Sequence, residues 1–326
     1  MAPEARRPTP ESTACAPPED LSRLDDEQLV RRISRDGPVD ERITDEYYRR
    51  VIPFFQRTLG MHWHTGLYTD TTTPPGEIHQ SRMVDLIADS IGLREGESVL
   101  DVGCGIGGAV IWLAGTRGVQ ATGLTPVSEQ IRIAEALIKT ADVRDSARVV
   151  RGHADRLPFP DESFDAVIFF ESPCHFTDRQ KFFQEAFRVL RPGGRLAGED
   201  WLSREGLDAA TWQHLIAPIH RTFSIRSLGS GESYVDQITD AGFDCGGWVD
   251  LRDESHLTRG FMVERWQQIR LMQEMTACRN PIEQLLLEGL LRLGQAVAAD
   301  AFTIGRFTAA KPASPKPGPA FTRSAE

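Results

Sequence analysis

Short β-branched apolar runs alternate with amphipathic helical patterns between residues 93 and 200, and this alternation constrains the fold more than any other feature of the chain. The runs are SVLDVG (98 to 103), VQATGLT (119 to 125), ARVVRGH (147 to 153), FDAVIFF (164 to 170) and RLAGEDW (195 to 201). Strands that are separated by helices are typical of βαβ units, which build a parallel sheet. We therefore predict a doubly wound α/β fold, and FDCGGWVDL (243 to 251) and AFTIGRFTAA (301 to 310) predict two further strands.

The segments outside these runs predict how the chain is organised. Both chain ends are rich in Pro and small residues, which is typical of disorder. The carboxyl ends of the strands in an open α/β sheet form the ligand site, and two helical or aromatic segments lie close to that edge. We predict a largely disordered segment at 1–40, an N-terminal helical lid at 41–92, a cofactor-binding core at 93–200, a substrate-lid insertion at 201–235, the remaining strands with their helices at 236–311, and a disordered tail at 312–326.

Composition excludes several classes of protein. The net charge is −10, from 37 basic and 47 acidic residues, which argues against a protein that wraps nucleic acid. No run approaches the ~18 apolar residues of a membrane span, and the N-terminus lacks the apolar core of a signal peptide, so we expect a cytoplasmic protein. The five cysteines lack metal-ligand or disulfide spacing, so we predict free thiols and no metal site built from side chains.

A glycine-rich turn follows the first strand in VLDVGCGIGG, residues 99 to 108. Glycines let the backbone approach a ligand closely, and the helix N-terminus beyond them offers amide donors to an anionic group. A dinucleotide site would also need an acidic residue at the end of the second strand, to bind the ribose diol. That strand ends instead in Leu124 and Thr125, which disfavours a nicotinamide cofactor.

Three stretches together resemble the class I S-adenosylmethionine-dependent methyltransferases: VLDVGCGIGG, ADRLPFPDESFD and FRVLRPGGRL, in that order. The resemblance implies a Rossmann-like sheet of seven strands, one of them antiparallel, and S-adenosylmethionine as cofactor. It implies that Asp101, Gly103, Gly105 and Gly107 surround the methionine end, that Thr125 and Gln130 reach the ribose, and that His153 and Ala154 lie in the adenine loop. His153 departs from the family, which has Asp at this place, although a neutral imidazole can accept the same hydrogen bond.

The stretch FFESPCHF, residues 169 to 176, carries the candidate catalytic groups Glu171 and His175. It resembles the corresponding region of sterol C-methyltransferases and, more loosely, of prenyl diphosphate C-methyltransferases, both of which act on carbon–carbon double bonds. An alkene attacks the methyl group without prior deprotonation and leaves a carbocation, which a buried Glu171 would stabilise and then deprotonate. Three alternatives remain open: an O- or N-methyltransferase with His175 as base, a sterol C-methyltransferase, and a binding protein that keeps the cofactor without turnover.

Aromatic and basic residues near the predicted lids are the candidate acceptor contacts. GMHWHTGLY, residues 60 to 68, resembles the aromatic and His-rich segment of prenyl diphosphate C-methyltransferases. The candidate contacts are Tyr47, Tyr48, Arg50, His62, Trp63, His64, Trp201 and Trp212. We predict a prenyl diphosphate acceptor, with geranyl diphosphate favoured, in terpenoid natural-product biosynthesis. His62, His64, Arg50 or a substrate-bound Mg²⁺ would neutralise the diphosphate. Chain length, the methylated carbon and the oligomeric state, a homo-oligomer included, stay open.

Overall fold

The computed structural model describes residues 20–33, 41–69, 76–254 and 281–314. Most of the residues that we predict to be disordered at the two chain ends lie outside these described ranges. Among the described helices, none combines the length and the hydropathy that a membrane span requires.

A mixed sheet of seven strands forms the centre of the molecule, which confirms the predicted α/β fold. Its strands follow the order β3-β2-β1-β4-β5-β7-β6. Strands β1 to β5 run parallel, whereas β7 is antiparallel to both of its neighbours, β5 and β6. Their bounds are β1 (Ser98–Val102), β2 (Gln120–Thr125), β3 (Ala147–Arg151), β4 (Phe164–Phe170), β5 (Leu190–Ser203), β6 (Asp244–Asp250) and β7 (Phe302–Ala310).

Helices cover both faces of the sheet, as a doubly wound fold requires. The described helices are α1 (Asp26–Ile33), α2 (Glu41–Leu59), α3 (Glu77–Ser90), α4 (Gly108–Arg117), α5 (Ser128–Thr140), α6 (Arg179–Val189), α7 (Ala209–Thr211), α8 (Ala217–Thr222), α9 (Gly231–Asp240), α10 (Leu251–Glu254) and α11 (Pro281–Ala298). A π-helical turn, Trp212–Ile216, joins α7 to α8, and Pro173–His175 forms one 3₁₀ turn. One apolar cluster contains buried residues of α2, α3, α4, α5, α8 and α11, and the cluster on the opposite face contains those of α6 and α9.

Strand β5 begins at Leu190, five residues before the start that the sequence predicts. The residues RPGG (191 to 194) still interrupt the ladder with β4, because four residues of β5 separate Leu190 from Arg195 whereas one residue of β4 separates their partners, Phe164 and Ala166. Leu190 pairs with Phe164 of β4, and the amide of Lys311 donates to the carbonyl of Gly194 at 2.8 Å. These backbone pairs extend the strand through the Pro-Gly-Gly stretch.

Helix α3 lies within the predicted N-terminal lid but packs against β5 and α4. Its buried face carries Met83, Val84 and Ile87, which are spaced at one helical turn. The part of the predicted lid that lies over the carboxyl ends of the strands is α2 with the segment that follows it. This arrangement places Trp63, in the segment after α2, next to Gly105 of the glycine-rich turn.

Candidate active site

The turn after β1 requires glycine. Gly103, Gly105 and Gly107 have φ angles of 87°, 53° and 84°, in the left-handed region that favours residues without a Cβ. A Cβ on Gly103 would also lie 2.4 Å from the Cβ of Ser172. Helix α4 begins directly after Gly107, so its first amides face the mouth of the turn. The turn is therefore shaped to bring backbone close to a ligand.

A large cavity opens over this turn at the carboxyl ends of β1, β2 and β4, and we call it the cofactor cavity. Among the residues predicted to bind the cofactor, those that line it are Asp101, Gly103, Gly105, Thr125, Gln130, His153 and Ala154. Gly107 is not among the lining residues, because its Cα faces Ala134 and Val149. The structure thus brings together all but one of these predicted residues.

Asp101 provides the clearest test of whether the predicted cofactor fits. Its side chain is buried, Oδ1 has no hydrogen-bond partner among the described residues, and burial raises the pKa of the carboxyl to about 7. A buried carboxylate without a partner is costly, and a ligand ammonium group would remove that cost. The α-amino group of S-adenosylmethionine has this character, so the residues fit the cofactor.

Thr125 and Gln130 form a polar pair at the end of β2. The hydroxyl of Thr125 donates to Oε1 of Gln130 at 2.5 Å, and both side chains are buried. No acidic residue lies at this strand end, in agreement with the sequence. His153 is exposed at the rim of the cavity, and Ala154 is buried beside it.

Glu171 follows β4 directly and turns towards the lid. Its φ of 43° is unusual for a residue with a side chain, and Oε1 accepts a hydrogen bond from the amide of Thr65 at 2.8 Å. The hydroxyl of Ser172 donates to the carbonyl of Val102 at 2.6 Å, which ties the turn to β1. Glu171 therefore stands between the cofactor cavity and the segment after α2.

The segment after α2 closes over the glycine-rich turn. Trp63 Nε1 donates to the Gly60 carbonyl at 3.1 Å, and the ring of His64 stacks on Phe170 at 4.8 Å. Burial lowers the pKa of His62 to about 4 and that of His64 to about 3. Both imidazoles are therefore neutral at neutral pH, so they do not supply the positive charge that the sequence analysis assigned to them.

A second cavity, which we call the acceptor cavity, adjoins the first and is mainly apolar. Its described lining consists of Tyr47, Tyr48, Phe54, Phe55, Leu59, Trp63, His64, Glu171, His175, Trp201, Phe223, Leu286 and Leu290. Tyr48, Trp63, His64, Glu171 and His175 also line the cofactor cavity. The two cavities therefore meet at Glu171 and His175.

His175 and Tyr48 form a polar pair at this junction. The hydroxyl of Tyr48 lies 3.0 Å from Nε2 of His175, and the rings meet edge to face at 5.6 Å between centroids. Burial, with a smaller contribution from the charge of Arg226, lowers the pKa of His175 to about 4, although the hydrogen bond to the Ser224 carbonyl acts in the opposite direction. The imidazole is neutral and could accept a proton, though it would hold that proton weakly.

Arg50 and Trp212 are not brought to either cavity by the fold. Arg50 forms ion pairs with Glu46 and Asp26, both at 2.7 Å. Trp212 lies in the π-helical turn, where its ring contacts His220 at 5.5 Å between centroids. Tyr47 and Trp201, in contrast, both line the acceptor cavity.

A second carboxyl group, Glu199, lies behind Glu171 on β5. It is fully buried, and neither carboxyl oxygen has a hydrogen-bond partner among the described residues. The amide of Glu171 donates to its carbonyl at 2.9 Å, and Arg306 is its register partner on β7. Burial first, and then the charges of Glu171 and Asp200, raise its pKa well above the usual value.

Sequence reasoning missed several residues of the site. Thr65 contributes only its backbone amide, and a contact made by the backbone cannot be predicted from the residue type. Leu286 and Leu290 are spaced by one turn of α11, more than 100 residues beyond Glu171. Arg226 is the one Arg or Lys among the described residues that line the cofactor cavity. The helical spacing of the aromatic pairs on α2 was the one available signal for Phe54 and Phe55.

Comparisons with known proteins agree with this geometry. Residues 100–198 match a family model described as a methyltransferase domain. The chain is 34% identical over 192 residues to "O-methyltransferase resE" of Aspergillus sclerotiorum, covering 58% of this chain and 71% of that protein. It is 36% identical over 138 residues to "Botryococcene C-methyltransferase" of Botryococcus braunii, covering 42% of this chain and only 35% of that protein.

A solved structure extends the likeness to the whole fold. The geranyl diphosphate C-methyltransferase of Streptomyces coelicolor A3(2), in complex with Mg²⁺, geranyl diphosphate and S-adenosyl-L-homocysteine, has a TM-score of 0.61 at 18% identity. The match covers 81% of this chain and 98% of that one. At this identity, the likeness concerns the fold alone.

Proposed function

Because the chain belongs to the class I S-adenosylmethionine-dependent methyltransferases, we propose that it methylates an alkene carbon of an isoprenoid acceptor, with Glu171 as the base. The observation that carries this proposal is the acceptor cavity, whose aromatic wall meets the cofactor cavity at Glu171. A carbocation needs a wall of this kind, since aromatic faces stabilise positive charge and exclude water.

The proposed reaction assigns a role to each group at the junction. When bound, S-adenosylmethionine would supply an electrophilic methyl group, and breaking of its methyl–sulfur bond would leave S-adenosylhomocysteine. Attack by the alkene leaves a carbocation on the acceptor, which the Glu171 carboxylate stabilises by its charge. A C–H bond next to the cation then breaks, its electron pair forms the new double bond, and Glu171 takes the proton. The hydrogen bond from Thr65 holds the carboxylate in place for both steps.

We further propose that the polar end of the acceptor is a diphosphate, so that the acceptor is a prenyl diphosphate. Arg226 at the edge of the cofactor cavity would contribute to its neutralisation. No cluster of His, Cys, Asp or Glu in the described residues is suited to hold a metal, so Mg²⁺ would arrive with the diphosphate. The botryococcene C-methyltransferase among the similar proteins supports an isoprenoid acceptor.

A second candidate function is O-methylation, favoured by the hydrogen bond between Tyr48 and His175. His175 would accept the proton of an acceptor hydroxyl, with Tyr48 orienting the ring. The relative resE is named as an O-methyltransferase. Because the pKa of His175 is low, the imidazole is a weak base, and we therefore propose O-methylation only as the second function.

The test is incubation with S-adenosylmethionine and dimethylallyl, geranyl and farnesyl diphosphates, a sterol or a phenol, with and without Mg²⁺, followed by mass spectrometry. Glu171→Gln keeps an acceptor oxygen for the Thr65 amide but cannot take the proton, so we expect isoprenoid methylation to fall by about 10²- to 10⁴-fold at unchanged cofactor affinity. His175→Ala is the comparison variant and should cost less. Methylation of the phenol alone, with His175→Ala the more damaging change, would refute the alkene mechanism.

A further inference from the structure

The backbone of Cys174 ties the turn that carries Glu171 and His175 to the rest of the molecule. Its amide donates to Oδ2 of Asp200 at 2.7 Å. Its carbonyl accepts from the amides of Arg226 and Ser227, at 2.9 and 3.2 Å. Both polar groups of one residue are therefore held, one by β5 and the other by the loop between α8 and α9.

Asp200 is itself held by a buried network. Tyr234 on α9 donates to its Oδ2 at 2.5 Å, and the Trp201 amide donates to its Oδ1 at 2.8 Å. Arg179, at the start of α6, donates to the Tyr234 hydroxyl at 3.0 Å and lies 4.0 Å from the centre of its ring. Asp200 and Tyr234 are fully buried. Charge-assisted bonds in such surroundings fix side chains tightly.

None of the side chains of Asp200, Tyr234 and Arg179 lines either cavity. Tyr234 packs on the face of the sheet opposite to α2 and the acceptor cavity. These side chains therefore reach the site through backbone groups: Asp200 through the amides of Cys174 and Trp201, and Arg179 through the carbonyl of Ser227. Their geometry differs from ordinary core packing, because the buried Oδ2 of Asp200 accepts hydrogen bonds both from a backbone amide of the turn and from the Tyr234 hydroxyl.

We propose that Asp200 and Tyr234 are positioning residues that set the place of Glu171 and His175 relative to the two cavities, with Arg179 completing the network. The proposal rests on the proposed function in one respect, namely that Glu171 or His175 acts on the acceptor. Misplacement of a catalytic group by about 1 Å costs on the order of 10²-fold in rate.

The test compares Asp200→Asn and Tyr234→Phe with a matched control, Glu185→Gln. Glu185 also accepts a hydrogen bond from a backbone amide, that of Leu157 at 2.9 Å, but lies away from the turn. Amide hydrogen exchange is followed for residues 172–176 and for the rest of the chain. Asp200→Asn keeps one acceptor oxygen but removes the charge that strengthens the hydrogen bond to Cys174, so we expect exchange at Cys174 to become about tenfold faster. Tyr234→Phe should have a smaller effect.

Activity gives the second readout. In Asp200→Asn, kcat should fall on the order of 10²-fold, while the Kd for S-adenosylmethionine stays nearly unchanged. Unchanged exchange at residues 172–176, or equal acceleration throughout the chain, would overturn the proposal. Hydrogen exchange does not require an acceptor, so it tests the network independently of the proposed function. Faster exchange confined to the turn, in a protein that methylates no isoprenoid, would support the positioning network and refute the proposed acceptor.

Discussion

Replacing Glu199 with Gln should stabilise the protein increasingly as the pH rises. The folded state holds this carboxyl buried and without a partner among the described residues, and its pKa is raised well above the usual value. The unfolded chain releases the proton near the ordinary Glu pKa. Ionisation above that pH therefore favours the unfolded state, and the wild type loses stability until the folded pKa is reached. Glutamine fills the same space and releases no proton.

The magnitude follows from linkage. One proton released only on unfolding costs about 1.4 kcal/mol per pH unit. Between about pH 5 and about pH 6.5, the stability of the Gln variant should therefore gain about 2 kcal/mol on the wild type. Asp101 and Asp200, whose raised pKa values act in the same direction, are present in both proteins, so they cancel in the difference.

Equilibrium unfolding in urea at several pH values measures this difference. The control is Glu185→Gln, because the ion pair with Arg188 lowers the pKa of Glu185. The ion pair stabilises the folded state above the ordinary Glu pKa, and this stabilisation is lost only as the pH falls below that pKa. The difference in unfolding free energy between this control and the wild type should therefore stay constant from pH 5 to pH 6.5. A flat difference for Glu199→Gln as well would refute the reasoning and indicate that Glu199 is ionised in solution, for example by pairing with Arg306.

Three further predictions concern the two cavities. Asp101→Asn should weaken S-adenosylmethionine binding by about 10- to 100-fold in calorimetry. The Kd of the wild type should rise as the pH falls below about 7, whereas the Kd of the variant should not. Parallel pH profiles of the two Kd values would contradict the ammonium contact. Trp201→Leu should raise the acceptor KM about tenfold at unchanged cofactor Kd, and equal effects on both ligands would argue against a wall of the acceptor cavity. Gly108→Ala places a Cβ 2.4 Å from the Met61 carbonyl, so cofactor affinity should fall, while Gly246→Ala, whose Cβ meets no atom within 4 Å, should leave it unchanged.

Local patterns predicted the strands of the sheet, and the family resemblance supplied most of the residues predicted for the cofactor cavity. Each strand is visible in the sequence as an apolar run, and Gly103, Gly105 and Gly107 occupy positions where the backbone has positive φ angles. Thr125 and Gln130 came from the family resemblance, and the structure shows that they are hydrogen-bonded to each other at the end of β2. The earlier start of β5 was not predicted, because Lys311, the backbone partner of Gly194, comes more than 100 residues later.

The acceptor cavity depended on tertiary contacts that no local pattern encodes. Arg50 follows Tyr48 closely on α2, yet Glu46 one turn earlier and Asp26 of α1 hold its guanidinium away from both cavities. The sequence predicted that His62 and His64 supply positive charge to the acceptor, but burial lowers their pKa values and keeps both imidazoles neutral. Leu286 and Leu290 are ordinary apolar positions of an amphipathic helix, and only the fold shows that they form part of a wall.

The antiparallel strand β7 has a consequence for how the chain is made. It lies between β5 and β6, so the sheet has a gap until residues 302–310 have left the ribosome. The helix before it, α11, brings Leu286 and Leu290 to the acceptor cavity. A nascent chain that ends before α11 already contains every strand around the glycine-rich turn. During synthesis, the cofactor half of the site can therefore form first, and the acceptor half is completed only by the last part of the fold.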